Sequence, residues 1–143
     1  MMMPNQEHLT LKNEVEELTK LPEFVDTVCE KAGIDMALIA SLNLALEEAA
    51  TNVVLYAYEG GEGLVDIDAI YNTDYLKFVI TDSGIPFDPT QKEDADTTLS
   101  AEERPIGGLG IFLVRQIMDV VNYERIDGKN ILTLIKKLEP AKE

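Results

Sequence analysis

The 143-residue chain is 45% hydrophobic, which fits one globular domain able to bury about two thirds of its unfolded surface. Twelve Lys and Arg against 27 Asp and Glu leave a formal charge of -15, which opposes binding to nucleic acid or to an anionic membrane surface over most of the exterior. A single nucleotide remains compatible with this charge, because backbone amides and a bound cation can hold phosphate inside an acidic protein.

The N-terminal MMMPNQEHL lacks the basic start and apolar core of a signal peptide, and no apolar run is expected to reach the length of a membrane span. The single Cys29 cannot form an internal disulfide, so a cytoplasmic location is the simplest expectation. Cys29 lies among Val25, Val28 and Ala32 in a helical apolar pattern and is assigned to packing. His8 stands near the terminus and is assigned no role.

In chain order, residues 9–11 suggest a short strand, and Asn13 followed by Glu16 resembles the capping pattern of a helix running to about residue 20. Pro22 suits the first turn of a second helix, over 22–32, which Gly33 stops. Asp35 can start the long element that organises the chain, LIASLNLALEEAATNVVLYAY at 38–58, with no Gly or Pro inside it. At about 100° per residue its Leu, Ala and Val positions form a broad apolar arc, with Glu48 and Asn52 side by side at the edge. An acid and an amide at i and i+4 share one face, where they can aim an acceptor, a general base or a metal ligand into a cavity. A solvated surface pair is the other reading.

The run EGGEG at 59–63 ends that helix. Residues 64–71 and 75–81 alternate apolar and polar as strands do, and Asn72, Thr73 and Asp74 join them as a hairpin. The run DSGIPFDP at 82–89 places the Asp82 carboxylate at a strand end before a turn. Asp82 can accept from an exocyclic amine while Gly84 lets a flat ring approach the backbone; a plain turn aspartate is the alternative. Residues 91–105 are polar and acidic and read as a mobile lid. Gly107, Gly108, Leu109 and Gly110 then run into IFLVRQIMDVV, a helical pattern whose start suits an anion, although a plain loop fits equally. Two closing strands, 122–126 and 130–137, flank the turn signal Asp127-Gly128. The order predicts an α+β fold with helices on one face of a mixed, mainly antiparallel sheet.

Glu-x-x-x-Asn on a helix, Asp-x-Gly after a strand, and a polar lid ending in Gly-x-Gly before another helix together resemble the Bergerat ATP-binding fold of gyrase, Hsp90, histidine kinases and MutL. This is the GHKL or histidine kinase-like ATPase superfamily, a two-layer α/β sandwich. Within it, EEAATNVVLYAY, DSGIPFDP and GGLGIFLVRQIMD are similar to the anti-sigma factor serine/threonine-protein kinases of the SpoIIAB and RsbW type. The resemblance implies a single domain over 1–143 with a lid at about 91–109, using ATP and Mg. It further implies that Glu48 is the general base for a protein serine, that Asn52 ligates Mg, and that Asp82 accepts from adenine with Gly84 giving the base room. Gly107, Gly108, Leu109 and Gly110 match the segment that holds the phosphates, and Arg104 is a candidate partner for the terminal phosphate. Implied partners are a sigma factor and an anti-anti-sigma protein of the STAS type, with the chain as a homodimer built on its first helix and early strand.

Two departures touch the surroundings of the site. Tyr56 stands where relatives often carry His, and the last strand begins at Asn130 where Thr or Ser is common. The pattern and size of the sequence are not those expected of the dimerisation and phosphoacceptor helices of a sensor histidine kinase or of the transducer domain of a gyrase or MutL. A nucleotide-gated binding module without phosphate transfer and an acidic scaffold with an empty pocket are the rival readings.

Overall fold

The computed structural model describes residues 5–58, 61–91 and 110–138. Five strands form one sheet: β1 (Asn5–Lys12), β2 (Leu64–Tyr71), β3 (Tyr75–Asp82), β4 (Val120–Ile126) and β5 (Lys129–Lys137). Their order across the sheet is β1-β2-β3-β5-β4. Each of the four pairings is antiparallel, so the parallel component allowed for in the sequence reading is not found among the described residues. The hairpin after β2 and the one before β5 occur where the turn residues place them. Asp127 and Gly128 have φ of 50° and 77°, the two positive values that a tight two-residue hairpin turn requires.

Strand β1 is longer than the three residues expected. Its polar first half carries no apolar alternation, and its order comes from pairing Asn5 to Lys12 against Tyr71 to Leu64. Asn13 does not cap a helix. Its side chain donates to the Gly61 carbonyl at 2.7 Å and accepts from the Gly63 amide at 2.9 Å, which ties the loop after the long helix to the end of β1. The residues that follow form a 3-10 turn, Val15–Lys20, rather than an α-helix.

Helix α1 (Leu21–Ala32) has Pro22 in its first turn and stops at Gly33, whose φ of 71° only glycine adopts without strain. Amides of Gly33 and Ile34 close back on Glu30 and Cys29, satisfying carbonyls the helix end would leave bare. Helix α2 (Met36–Tyr56) contacts α1 and packs against α3 (Gly110–Ile117). By length and mean hydropathy α2 reaches the threshold of a membrane span, which corrects the expectation that no run does. In this fold Leu42, Leu46, Ala49 and Val53 of α2 are buried in the same core as the sheet.

Burial alternates along β2, β3 and β5, so one sheet face is covered and the other is partly open. Phe78, Ile67, Ile80 and Leu134 from the sheet meet Leu42, Leu46 and Val25 from the helices in one core. Each such side chain, fully buried, contributes about 1.5–3 kcal/mol relative to exposure. Cys29 sits in that core, and burial pushes its thiol up to about 11, as a packing role requires. Two-layer packing therefore holds the last turn of α2 over the ends of β3 and β5, where the candidate site lies.

Candidate functional site

In β3, Leu76, Phe78 and Ile80 point into the core, and the period of two carries Asp82 onto the same face. A carboxylate therefore occupies a core position, 3% exposed, as the last residue of the strand rather than the first of the loop. Burial raises its pKa above the ordinary Asp value; hydrogen bonds from Asn130 and the Gly84 amide, and the charge of Arg125, pull the other way. Its Oδ1 accepts from Asn130 Nδ2 at 2.8 Å and from the Gly84 amide at 2.9 Å. Its Oδ2 accepts no hydrogen bond among the described residues.

Asn130 faces Asp82 directly across the β3–β5 pairing and is itself 4% exposed. It makes four hydrogen bonds. Nδ2 also donates to the Ile85 carbonyl at 2.7 Å, and Oδ1 accepts from the Phe87 amide at 3.1 Å and from the Tyr123 hydroxyl. The loop between Asp82 and Phe87 is pinned elsewhere too. The Ser83 amide donates to Tyr58 Oη at 2.8 Å, the Ile85 amide to the Ala57 carbonyl at 2.8 Å, and Arg125 Nη1 to the Gly84 carbonyl at 2.8 Å. Tyr58 in turn donates to the Leu64 carbonyl at 2.6 Å. A Cβ on Gly84 would collide with the carbonyl of Ala57, so glycine is needed for the loop to lie against the end of α2.

Glu48 and Asn52 lie on α2, upstream of that contact. With a rise of about 1.5 Å per residue, Asn52 is about 7.5 Å and Glu48 about 13.5 Å along the axis from Ala57. Glu48 is partly buried, and desolvation first, then the neighbouring Glu47 carboxylate, raises its pKa above the ordinary Glu value. Asn52 is 3% exposed, and its Oδ1 is buried without a hydrogen-bond partner among the described residues. Such an orphan costs about 1–3 kcal/mol, and the burial of Asn52 rules out the solvated reading for that residue, while Glu48 stays partly exposed. Tyr56, one turn further on, packs its ring against Phe87 with centroids 5.8 Å apart.

The structure thus brings Asp82 and Gly84 together with the C-terminal turn of the helix that carries Glu48 and Asn52. Gly110 is the first residue of α3, which packs on α2. Arg104, Gly107, Gly108 and Leu109 lie outside the described residues. Arg115 of α3 donates to the Thr90 carbonyl, joining α3 to the short 3-10 turn Pro89–Gln91. Tyr58, Arg125 and Asn130 were not singled out from sequence as site residues. The available signal was phase: Asn130 is in step with Leu132 and Leu134 on the buried face of β5, as Asp82 is on β3.

The donor set fits a nucleotide bound with a hard cation. Among the described residues no cluster of three His, Cys, Asp or Glu could hold a metal unaided. A lone buried amide oxygen such as Asn52 Oδ1 suits an ion whose other ligands are phosphate oxygens and water. Asp82 Oδ2 offers an acceptor, whereas the side of Gly84 that a Cβ would occupy is filled by the Ala57 carbonyl, so this glycine packs the loop on α2 and does not itself leave the room for a flat ring that the sequence suggested.

Comparison with known proteins agrees in extent with this geometry. The sequence profile of the histidine kinase-like ATPase domain matches residues 11–136. Serine-protein kinase RsbW of Listeria monocytogenes serovar 1/2a is 31% identical over 128 residues, covering 81% of this chain and 82% of that protein. RsbW of Bacillus pumilus is 30% identical over 73% of this chain and 68% of its own length. Serine/threonine-protein kinase BtrW of Bordetella bronchiseptica is 31% identical over 70% of this chain and 71% of its own.

Proposed function

The chain belongs to the histidine kinase-like ATPase domain family, and from that premise we propose that it is an ATP- and Mg-dependent anti-sigma serine/threonine-protein kinase. In this reading it binds a sigma factor and phosphorylates an antagonist of the STAS type. The observation that carries the proposal is the pair on α2: a partly buried carboxylate at Glu48 one turn from a buried amide oxygen at Asn52 that has no hydrogen-bond partner among the described residues.

Bound Mg-ATP supplies the transferable phosphoryl group and neutralises its charge. Asp82 accepts from the 6-amino group of adenine through Oδ2, and Gly84 lets the loop that carries it lie close against the last turn of α2. Asn52 would hold the cation through its buried side-chain oxygen, the phosphates and water supplying the other ligands. Glu48 takes the proton from the serine hydroxyl of the protein substrate as that oxygen attacks, leaving ADP. Gly107, Gly108, Leu109 and Gly110, with Arg104, are assigned to the phosphates by resemblance alone. The acidic surface favours protein partners with basic faces over nucleic acid. The proposed setting is the cytoplasm, and the proposed assembly is a homodimer through β1 and the turn after it, where Val15 is 58% exposed.

The test incubates the protein with radiolabelled ATP, Mg and STAS-domain proteins of the same organism, one at a time. Label is expected on a serine of one of them. Glu48→Gln is expected to retain ATP and to transfer about 10² to 10⁴ times more slowly, the usual contribution of a general base. Bound ATP with no transfer to any of these proteins would instead establish a nucleotide-gated module without kinase activity.

A further inference from the structure

We propose that Asn130, held by Tyr123 and the Phe87 amide, sets the base preference of the site by locking Asp82 as a pure acceptor, so that the pocket takes 6-aminopurine nucleotides and refuses 6-oxopurines. The inference rests on the nucleotide reading above and assigns its specificity to a residue that never touches the ligand.

An asparagine side chain offers two N–H donors and one oxygen with two lone pairs. Asn130 uses all four: it donates to Asp82 Oδ1 and the Ile85 carbonyl, and it accepts from the Phe87 amide and the Tyr123 hydroxyl. Turning the amide over would set its NH2 against the Phe87 amide, which can only donate, and its oxygen against two acceptors, Asp82 Oδ1 and the Ile85 carbonyl. Its orientation is therefore fixed by the protein, and it always presents N–H to Asp82. The other group on Oδ1 is also a donor, the Gly84 amide at 2.9 Å. Nothing described around Asp82 accepts a proton from it, so the carboxyl has no partner for its protonated form.

The loop cannot compensate by offering a donor of its own. The carbonyls of Gly84 and Ile85 are held by Arg125 and Asn130, and the amides of Ser83, Gly84, Ile85 and Phe87 are all engaged within the protein. A ligand must therefore donate to Asp82 Oδ2. A 6-amino group does so; a 6-oxo group sets lone pairs against lone pairs in a buried place, where an unpaired polar atom costs most. Asn130→Asp would replace the fixed donor with a carboxylate oxygen. Two carboxyls so close resist ionising together, so the pair takes up a proton; in molecules that carry it on Asp82 Oδ2, that oxygen donates to a 6-oxo base and the preference for a 6-amino group narrows.

Calorimetric titration with ADP and with inosine diphosphate, which differ at the 6-position, tests this on the full chain, on Asn130→Asp and on Tyr123→Phe. The wild type is expected to bind ADP at least about a hundredfold tighter than inosine diphosphate. Asn130→Asp is expected to narrow that ratio by at least about tenfold, and Tyr123→Phe, which removes one of the two donors fixing the amide, by about threefold. A purely structural role would weaken both ligands alike. An unchanged ratio in both variants, with ADP still bound, would overturn the role of Asn130 and leave the nucleotide pocket standing. Absence of ADP binding by the wild type would overturn the pocket itself. Should Asn130→Asp fail to fold, the ratio in Tyr123→Phe decides.

Discussion

Glu48 shows how environment sets chemistry at a single residue. Burial and the adjacent Glu47 disfavour its ionised form, so its pKa lies above the ordinary value for a glutamate. A general base works only when deprotonated, and the rate should fall as the pH drops through this raised value. The acid limb of the transfer rate is therefore expected at higher pH than a free carboxylate gives, and it should vanish in Glu48→Gln; a limb at the ordinary Glu value would speak against the assignment. The raised value also moves the base closer to neutrality, where proton transfer is most effective.

Which of these residues the sequence revealed follows from distance along the chain. Glu48 and Asn52 were legible because a helix fixes their relation over four residues, and Asp82 and Gly84 because a strand end and a turn do so over two. Asn130 was noticed only as a departure. Its partners Asp82 and Ile85 lie 48 and 45 residues away, and only the register of β5 on β3 brings them together. Tyr58 was taken for the end of an apolar run, whereas its hydroxyl bridges Leu64 and Ser83.

Among the elements, α2 carries a local cost that its function would explain. The Asn52 side-chain oxygen is buried with no hydrogen-bond partner among the described residues. Asn52→Ala removes that cost and adds a better helix former, which offsets the cavity it leaves. The ligand-free melting temperature is expected to hold or rise, while the dependence of nucleotide binding on Mg is lost. A clear fall in melting temperature with the Mg dependence intact would show Asn52 to be structural.

Strand β1 offers a second case. Its first half reads as polar chain, yet His8 Nδ1 donates to Asp68 at 2.7 Å and Nε2 to the Thr10 hydroxyl at 2.8 Å, and Thr10 donates to Asp66 at 2.7 Å. His8, expected to have no role, thus ties β1 to β2. The hydrogen bond to Asp68 chiefly raises its pKa above 6.5, and the charges of Asp68 and Asp66 act in the same direction. Because the folded value lies above the unfolded one, the stabilisation is complete below the unfolded pKa and is lost as the pH rises through the folded value. The difference in melting temperature between the wild type and His8→Ala is expected to be larger near pH 5.5 than near pH 8.5; equal differences would remove the charge from the account. The long strands, the hairpins and the helices around Pro22 and Gly33 were all legible, since each follows from local chemistry. The 3-10 turn was not, because the Asn13 side chain is taken up by Gly61 and Gly63, some fifty residues further on.

At the scale of the whole molecule, the sheet and α2 form two layers that share one core and are joined at the end of α2 by the loop after β3. There the Ile85 amide joins the Ala57 carbonyl, and Gly84 lies against the helix end. This contact sets the strand end that carries Asp82 beside the end of the helix that carries Asn52 and Glu48, the arrangement on which the proposed base recognition and phosphate chemistry rest. A ligand spanning them would stabilise the fold in proportion to its affinity.

Asp82 joins these scales, because its buried charge costs the folded state stability. Its raised pKa means that the folded protein binds the proton more tightly than the unfolded one, so stability falls as the pH rises above the ordinary Asp value. Asp82→Asn keeps the Oδ1 acceptor for Asn130 and Gly84, removes the charge, and puts a donor where a ligand must donate. The most direct measurement is a calorimetric titration of the wild type and Asp82→Asn with ATP, with and without Mg, alongside their melting temperatures. Saturable binding that requires Mg in the wild type, and its loss in a variant that melts no lower, is the expected result. Equal binding by both proteins, or none by the wild type, would contradict the account.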